Sequence, residues 1–239
     1  MRRLAALVAA AFLLIPPARA ELLVVDLELV LAIDASGSVD DGEYRLQVEG
    51  IARAFRDAGV QAAIAKQPLG RIAVAVVVWA EANRPKDITP WFVVSDAASA
   101  EAFAAVVESW PRRIANGGTG IGKALHFSAL ALTTNAYAAD RMVIDLSGDG
   151  RETPPSDWTL GPAEGRAYAA ARGVDINGLA ILNDEPDLEA YFRSEVIRGR
   201  AAFVIAVEDY AGYAEAMRIK LIREIEAEPN VSMLEGGGG

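Results

Sequence analysis

The chain has 239 residues, of which 52% are hydrophobic and 23% are charged, so it carries enough apolar material for one sizeable core and is neither disordered nor fibrous. It contains no cysteine and one histidine, which excludes disulfides, Cys-based zinc sites, iron–sulfur clusters and metal sites built from several histidines. The formal charge of −10 argues against a nucleic-acid partner, because contacts with phosphates need clustered lysine and arginine.

Residues 1–20 have the layout of a secretory signal peptide. Arg2 and Arg3 provide a positive start, residues 4–15 form an unbroken apolar run, and residues 18–20 (Ala-Arg-Ala) fit a cleavage site. This apolar run is shorter than the roughly 20 residues that span a bilayer, and no later run is long enough either. We therefore predict export to the periplasm or the medium, without a transmembrane segment. The mature chain starts at Glu21 and carries 20 basic against 33 acidic residues, a formal charge of −13.

Apolar runs alternate with amphipathic runs through the rest of the chain. The predicted strands are residues 27–33, 71–79, 88–94, 141–146, 174–181 and 202–207. The predicted helices are residues 43–66, 97–109, 121–132, 163–172, 188–197 and 210–225. This alternation predicts one α/β domain over residues 21–228, with a doubly wound, mostly parallel six-stranded sheet and a flexible tail at residues 229–239. A polar turn before residues 88–94 indicates that this run is one antiparallel edge strand.

The end of the first predicted strand carries a carboxylate and two hydroxyls at alternate positions: Asp34, Ser36 and Ser38. Gly37 lets the turn fold tightly, so that these side chains can converge. A helix cap is the alternative, because Ser38-x-x-Asp41 fits a capping pattern. Such a cap explains one serine, but it does not explain all three residues.

Two further polar residues occur at matching places. Thr119 lies in a glycine-rich loop (residues 116–122) before a predicted helix, and Asp149 follows the fourth predicted strand. Ligands of parallel sheets bind beyond the carboxyl ends of the strands, where the strand order reverses. A set of hydroxyls and carboxylates suits a hard cation such as Mg²⁺, Mn²⁺ or Ca²⁺.

Together these residues resemble the von Willebrand factor type A domain, a Rossmann-type three-layer fold. Its metal-ion-dependent adhesion site is written Asp-x-Ser-x-Ser, then a distant Thr, then an Asp followed by Gly. The matching residues are Asp34, Ser36, Ser38, Thr119 and Asp149. The order of strands and helices also matches over most of the mature chain. The resemblance implies that the three hydroxyls touch the ion while the carboxylates act mostly through water.

The segment at the fourth strand, residues 143–150 (VIDLSGDG), resembles in addition a bacterial exported family that has a type A-like domain and no assigned function. Ser147 and Gly148 stand where members of the type A family usually have one threonine. Asp145, in the middle of this strand, needs a partner if it is buried. It forms either a structural hydrogen bond or a support for Asp149.

The resemblance implies an exported binding module and not an enzyme: an Asp or Glu of a partner protein completes the metal shell. Members of the family couple this site to movement of the final helix, here residues 210–225. A metal-assisted hydrolase is one alternative, because an open metal position can activate water, although the sequence supplies no general base. A scaffold subunit whose metal only stiffens the loops is another.

Three other enzyme classes fit less well. The residues from Gly117 to Lys123 have P-loop spacing, but Ala124 stands where Ser or Thr would hold Mg²⁺, and no strand is predicted before the loop. A serine hydrolase would need His126 as its base, and the chain has no Gly-x-Ser-x-Gly elbow, so we interpret His126 as structural. An aspartate-based phosphatase usually has a second Asp at the position of Ser36.

Overall fold

A central sheet with helices on both faces organises the computed structural model, which describes residues 21–154 and 160–227. The strands are β1 (Leu23–Val24), β2 (Leu27–Asp34), β3 (Ile72–Trp79), β4 (Asp87–Ile88), β5 (Phe92–Val94), β6 (Tyr137–Ala138), β7 (Met142–Gly148), β8 (Val174–Ile181) and β9 (Val204–Val207). The helices are α1 (Asp41–Arg56), α2 (Ala58–Ala65), α3 (Ala97–Glu108), α4 (Ile121–Thr133), α5 (Pro162–Ala170), α6 (Leu188–Tyr191) and α7 (Tyr213–Glu226). A π-helical turn, Phe192–Val196, continues α6, and a 3₁₀ turn, Tyr210–Gly212, precedes α7. The predicted signal peptide and tail lie outside the described residues.

The strand order of the main sheet is β4-β3-β2-β7-β8-β9, and β5 pairs with β3 beside β4. Strands β2, β3, β7, β8 and β9 are parallel, whereas β4 and β5 run antiparallel to β3. The chain winds outward from β2 to β3 and then returns to the other side of β2 to form β7, β8 and β9. This confirms the predicted α/β class with a mostly parallel sheet. The point at which the winding reverses lies between β2 and β7, where ligands of such sheets bind.

The predicted edge strand 88–94 is two short strands, so the described sheet has seven strands where six were predicted. Between β4 and β5, the hydroxyl of Thr89 accepts a hydrogen bond from the backbone of Val76 at 3.0 Å. Pro90 follows and has no N–H to contribute to a ladder. The pairing with β3 is therefore interrupted between its two halves.

Two apolar cores lie on opposite faces of the sheet, because successive strand side chains point to opposite sides. Along β2, Leu29 and Leu31 pack with residues of α1, α2, α3 and α7. Val30 and Ala32 pack with residues of α4, α5 and α6. All eight residues of β2 are buried, as the continuous apolar run predicted for a strand covered on both faces.

The long predicted helix 43–66 is divided at Asp57, whose backbone is extended (φ −69°, ψ 131°). Its side chain accepts hydrogen bonds from the backbone N–H groups of Gly59 at 2.8 Å and Val60 at 3.2 Å, so Asp57 caps α2. Among the helices that the structure describes, none combines the length and apolarity needed to span a membrane.

Candidate metal centre

The first part of the site is the loop that follows β2. The backbone N–H of Ser36 donates to Asp34 Oδ1 at 2.7 Å, and the hydroxyl oxygens of Ser36 and Ser38 are 3.3 Å apart. The N–H of Gly37 donates to the carbonyl of Gly117 at 2.9 Å. A Cβ atom at Gly37 would lie only 3.0 Å from that carbonyl oxygen, so glycine permits the close approach of the two loops.

Ser38 does not cap α1, so the capping interpretation is wrong. The cap is Asp40, whose side chain accepts from the N–H of Glu43 at 2.8 Å, while Glu43 accepts from the N–H of Asp40 at 2.8 Å. This reciprocal pair provides hydrogen-bond acceptors for two backbone N–H groups at the start of the helix. The hydroxyl of Ser38 is left for the site, where it donates to Asp149 Oδ1 at 2.7 Å.

The glycine-rich loop brings Thr119 to the same place. Its backbone N–H donates to the hydroxyl of Thr153 at 2.8 Å, and its carbonyl accepts from the N–H of Thr153 at 2.9 Å. The N–H of Gly120 donates to the carbonyl of Ala80 at 3.1 Å. A Cβ atom at Gly150 would lie 3.5 Å from the hydroxyl oxygen of Thr119, so this hydroxyl lies beside the residue that follows Asp149.

Asp149 directly follows β7 and receives hydrogen bonds at both carboxylate oxygens. Ser38 donates to Oδ1, and the phenol of Tyr210 donates to Oδ2 at 3.1 Å. In the Ser147-Gly148 pair, where a threonine was expected, the two residues face different neighbours. Ser147 lies 3.1 Å from the phenol of Tyr213, whereas a Cβ atom at Gly148 would lie 3.2 Å from Asp34 Oδ2.

The two carboxylates of the site lack a compensating cation among the contacts of the described residues. Asp34 is fully buried, and its Oδ2 has no hydrogen-bond partner within residues 21–154 and 160–227. Burial, reinforced by the charge of Asp149, raises the pKa of Asp34 to about 7. Burial also raises the pKa of Asp149, although the hydrogen bonds from Ser38 and Tyr210 act in the opposite direction. A buried carboxylate oxygen without a partner is costly, and a cation is the partner that removes this cost.

These residues fit a hard divalent cation. A hydroxyl has one proton to donate and two lone pairs to offer, and Ser38 gives its proton to Asp149. In the contact between the two hydroxyls Ser36 is then the donor, so Ser38 keeps one free lone pair and Ser36 keeps both of its own. Within the described residues, no group of three or more His, Cys, Asp or Glu side chains forms a conventional metal cluster. A site of two carboxylates and three hydroxyls belongs to a different class, and its oxygen donors suit Mg²⁺, Mn²⁺ or Ca²⁺.

Asp145 lies elsewhere, in a fully buried group of charges between β7 and α7. Its Oδ1 is 3.1 Å from Lys220 Nζ, which is also 2.7 Å from Glu224 Oε1. Asn177 donates to the same oxygen of Glu224 at 2.9 Å. Burial and the charge of Glu224 raise the pKa of Asp145 to about 8, against the opposing effect of Lys220. The partner of Asp145 is therefore Lys220, and not Asp149.

Sequence reasoning missed two residues that hold the site together. Gln47 is fully buried and donates to the backbone carbonyl of Asp34 at 2.8 Å. It lies among the apolar residues Tyr44 and Val48 on the buried face of α1, and a polar residue on such a face is a signal that the sequence does carry. Tyr210 carries no comparable signal, because a tyrosine at the start of a predicted helix is ordinary.

The P-loop interpretation is not supported by the fold. A P-loop connects a strand to a helix, whereas residues 109–120 connect α3 to α4 without a strand. His126 lies on α4, where its ring contacts the ring of Tyr168 with centroids 3.9 Å apart. That contact agrees with a structural role.

The fold is similar to those of several solved structures. Proximal thread matrix protein 1 from the mussel byssus, in a structure with a zinc-occupied MIDAS motif, is 14% identical with a TM-score of 0.59, over 86% of this chain and 49% of that one. The pilus adhesin SpaC from Lactobacillus rhamnosus GG is 12% identical with a TM-score of 0.55, over 86% and 32%. BatB from Bacteroides thetaiotaomicron is 18% identical with a TM-score of 0.51, over 83% and 99%.

The chain thus spans about half the length of the mussel protein and about a third of the adhesin. At these identities the likeness establishes the fold, which is of the von Willebrand factor type A kind. A comparison with curated proteins gives no match. The model of one protein family matches residues 24–229, nearly all of the described chain. The chain belongs to this family, DUF1194, which is described as a protein of unknown function.

Proposed function

We propose that this protein is an exported, metal-dependent protein-binding module. Asp34, Ser36, Ser38, Thr119 and Asp149 would hold a divalent cation, Mg²⁺ or Mn²⁺ in preference to Ca²⁺. When bound, the cation supplies an electrophilic centre for a carboxylate from a partner protein. The observation that carries the proposal is the buried Oδ2 of Asp34, which has no hydrogen-bond partner among the described residues and lies at the start of the loop that carries Ser36 and Ser38.

The chain's own residues prepare the site for such a ligand. The proton of Ser38 is committed to Asp149, so its oxygen faces a cation as a neutral donor. Neutral donors leave the cation with more of its charge than a ring of carboxylates would. A cation held by such donors would keep a net positive charge and would attract an anionic group from a partner.

The structural neighbours give the proposal a context. One is named a pilus adhesin, and another is described with a zinc-occupied MIDAS motif. We take over from them only the idea that this fold can present a metal to a binding partner. The metal of this protein, its partner and its lack of enzymatic turnover are parts of our proposal.

A pull-down from extracytoplasmic extract tests the binding function. The mature wild-type protein, residues 21–239, is immobilised with Mg²⁺ or with EDTA, and captured proteins are identified by mass spectrometry. We expect a partner that is retained with Mg²⁺ and released by EDTA. Thr119→Ala should weaken the complex more than it weakens metal binding, because in the von Willebrand factor type A domains that this site resembles the corresponding threonine joins the metal mainly when the ligand is present.

Thr133→Ala is the matched control. Thr133 lies at the far end of α4, where its hydroxyl donates to the carbonyl of Ala129 at 3.0 Å. Its loss should leave the complex unchanged. A partner that binds equally well in EDTA, or to the triple variant of Asp34, Ser36 and Asp149 with alanine at each position, would contradict the proposal. Hydrolysis of a substrate in a turnover screen would favour the hydrolase alternative.

Export is a separate part of the proposal, and it depends on the sequence of residues 1–20. Mass spectrometry of the protein recovered from the periplasm or medium should find Glu21 at the amino terminus. Recovery of the intact chain from the cytosol would refute export and would leave the metal site untouched.

A further inference from the structure

Helix α7 and the 3₁₀ turn before it meet β7 through three polar contacts, which we call the α7–β7 ladder. Tyr210 donates to Asp149 Oδ2 at 3.1 Å, the hydroxyls of Tyr213 and Ser147 are 3.1 Å apart, and Lys220 Nζ lies 3.1 Å from Asp145 Oδ1. Alternate residues of a strand point to one face, so positions 145, 147 and 149 form one polar row facing the helix. All six residues are buried, and the most exposed of them, Tyr210, is 3% exposed.

A polar interface of this kind specifies one position of α7 relative to β7. An apolar helix face can shift along a sheet and still bury its surface, because the hydrophobic effect has no direction. A shift of α7 would instead separate Lys220 from Asp145 inside the core and leave buried hydroxyls unpaired, which is strongly unfavourable. The ladder therefore fixes the position of Tyr210 relative to the end of β7.

The fixed position of Tyr210 matters for the orientation of Asp149. This carboxylate has one donor at each oxygen, Ser38 at Oδ1 and Tyr210 at Oδ2. Ser38 belongs to the proposed ligand set, and its loop would help to hold the ion. Tyr210 belongs to no such loop, and it is the donor that sets the plane of the carboxylate from outside.

We infer that Tyr210 is a positioning residue of the metal centre, held in place by the α7–β7 ladder before the cation arrives. The inference rests on the proposed function, because it needs a metal site. It goes beyond that function by assigning the 3₁₀ turn before α7 a role in orienting Asp149 for metal binding. Outer hydrogen-bond partners that orient a ligand typically contribute about 10-fold to 100-fold to metal affinity.

The test compares Tyr210→Phe with Tyr213→Phe, each of which removes one phenol oxygen from the same ladder and keeps the ring. Titration calorimetry and the electron paramagnetic resonance signal of Mn²⁺ measure metal affinity, and urea denaturation measures stability. We expect Tyr210→Phe to weaken Mn²⁺ binding by about tenfold or more. Tyr213→Phe should lower stability to a similar extent but weaken Mn²⁺ binding clearly less, because it keeps the donor to Asp149 Oδ2.

Hydrogen exchange gives a second measurement. Mn²⁺ should increase the protection of the backbone N–H groups of residues 210–213 in the wild type, and this increase should be absent in Tyr210→Phe. Unchanged affinity in Tyr210→Phe, or equal losses of affinity in both variants, would overturn the inference and leave the proposed function standing. A wild-type protein that binds no Mn²⁺ would overturn both.

Discussion

The middle and the carboxyl end of β7 carry two clusters of buried acidic residues that are compensated in different ways. In the middle of the strand, Asp145 and Glu224 surround the ammonium group of Lys220. At its carboxyl end, Asp149 lies near Asp34, and the contacts around them are hydrogen bonds from neutral groups. Within the described residues, both clusters contain buried carboxylate oxygens without a hydrogen-bond partner, but only the first has an ammonium group in contact with its carboxylates. The difference indicates which of the two can take up a cation from solution.

The largest effect is expected from removing the cation of the first cluster. Lys220→Met would leave two acidic groups buried without compensation, and breaking a buried ion pair from one side costs roughly 3–5 kcal/mol. We expect a loss of this order in the free energy of unfolding, measured by urea denaturation. The exposed Lys66, which is 3.5 Å from Glu226, provides the control Lys66→Met, whose cost should stay below about 1 kcal/mol.

A compensated variant sharpens this comparison. Combining Lys220→Met with Asp145→Asn and Glu224→Gln removes all three titratable groups, so most of the lost stability should return. If Lys220→Met alone were as stable as the wild type, the cluster would not depend on its internal cation.

The second cluster should instead respond to metal ions in solution. A ligand that binds only the folded state at a hundred times its Kd stabilises it by about 2.7 kcal/mol. Mg²⁺ or Mn²⁺ should therefore raise the melting temperature of the wild type, followed by differential scanning fluorimetry, and Asp34→Ala should abolish this shift while the protein still folds. Asp57→Ala is the control, because it removes the cap of α2 and should lower the melting temperature without affecting the shift. An unchanged shift in Asp34→Ala would refute the assignment of the site.

The smallest expected effect is a pH dependence of the first cluster. The pKa of Asp145 is raised to about 8 in the folded protein, against an ordinary value of 3.8. The folded state therefore holds a proton that the unfolded state has lost, and the stability from this group declines as the pH rises from about 4 to about 8. In metal-free protein, Asp145→Asn should make the decline shallower, by on the order of 1 kcal/mol between pH 6 and pH 8. Parallel profiles of the two proteins in urea would contradict this.

Much of the fold could be predicted because its signals are local and repeated. Strands such as β2 and β3 are recognisable as largely apolar runs. The amphipathic runs between the strands indicate the helices. The break at Asp57 was missed, because the apolar pattern continues on both sides of a residue that acts through its side-chain cap. The division between β4 and β5 was missed for a similar reason, since one hydroxyl, that of Thr89, enters the ladder there.

The site was predictable in its motif residues and not in its supporting contacts. Asp34 and Asp149 are recognisable because both follow apolar strands in a fixed pattern. Lys220 could not be found in this way, because it is flanked by the apolar residues Met217 and Leu221 of α7, and a lysine in such a helix is ordinarily exposed. Its partner, Asp145, is 75 residues away in the sequence, and only the folded chain brings the two together.

The shared face of β7 has a consequence for how this chain can change over generations. A single residue inserted or deleted between the start of β7 and Asp145 would turn positions 145, 147 and 149 toward the opposite helical layer at once. The same event would bury acidic side chains against an apolar layer and separate Asp149 from the other residues of the proposed metal site. The partner of Lys220 and the proposed metal ligand Asp149 therefore share one strand register, so that a single change of register would lower stability and, under the proposed function, abolish binding as well.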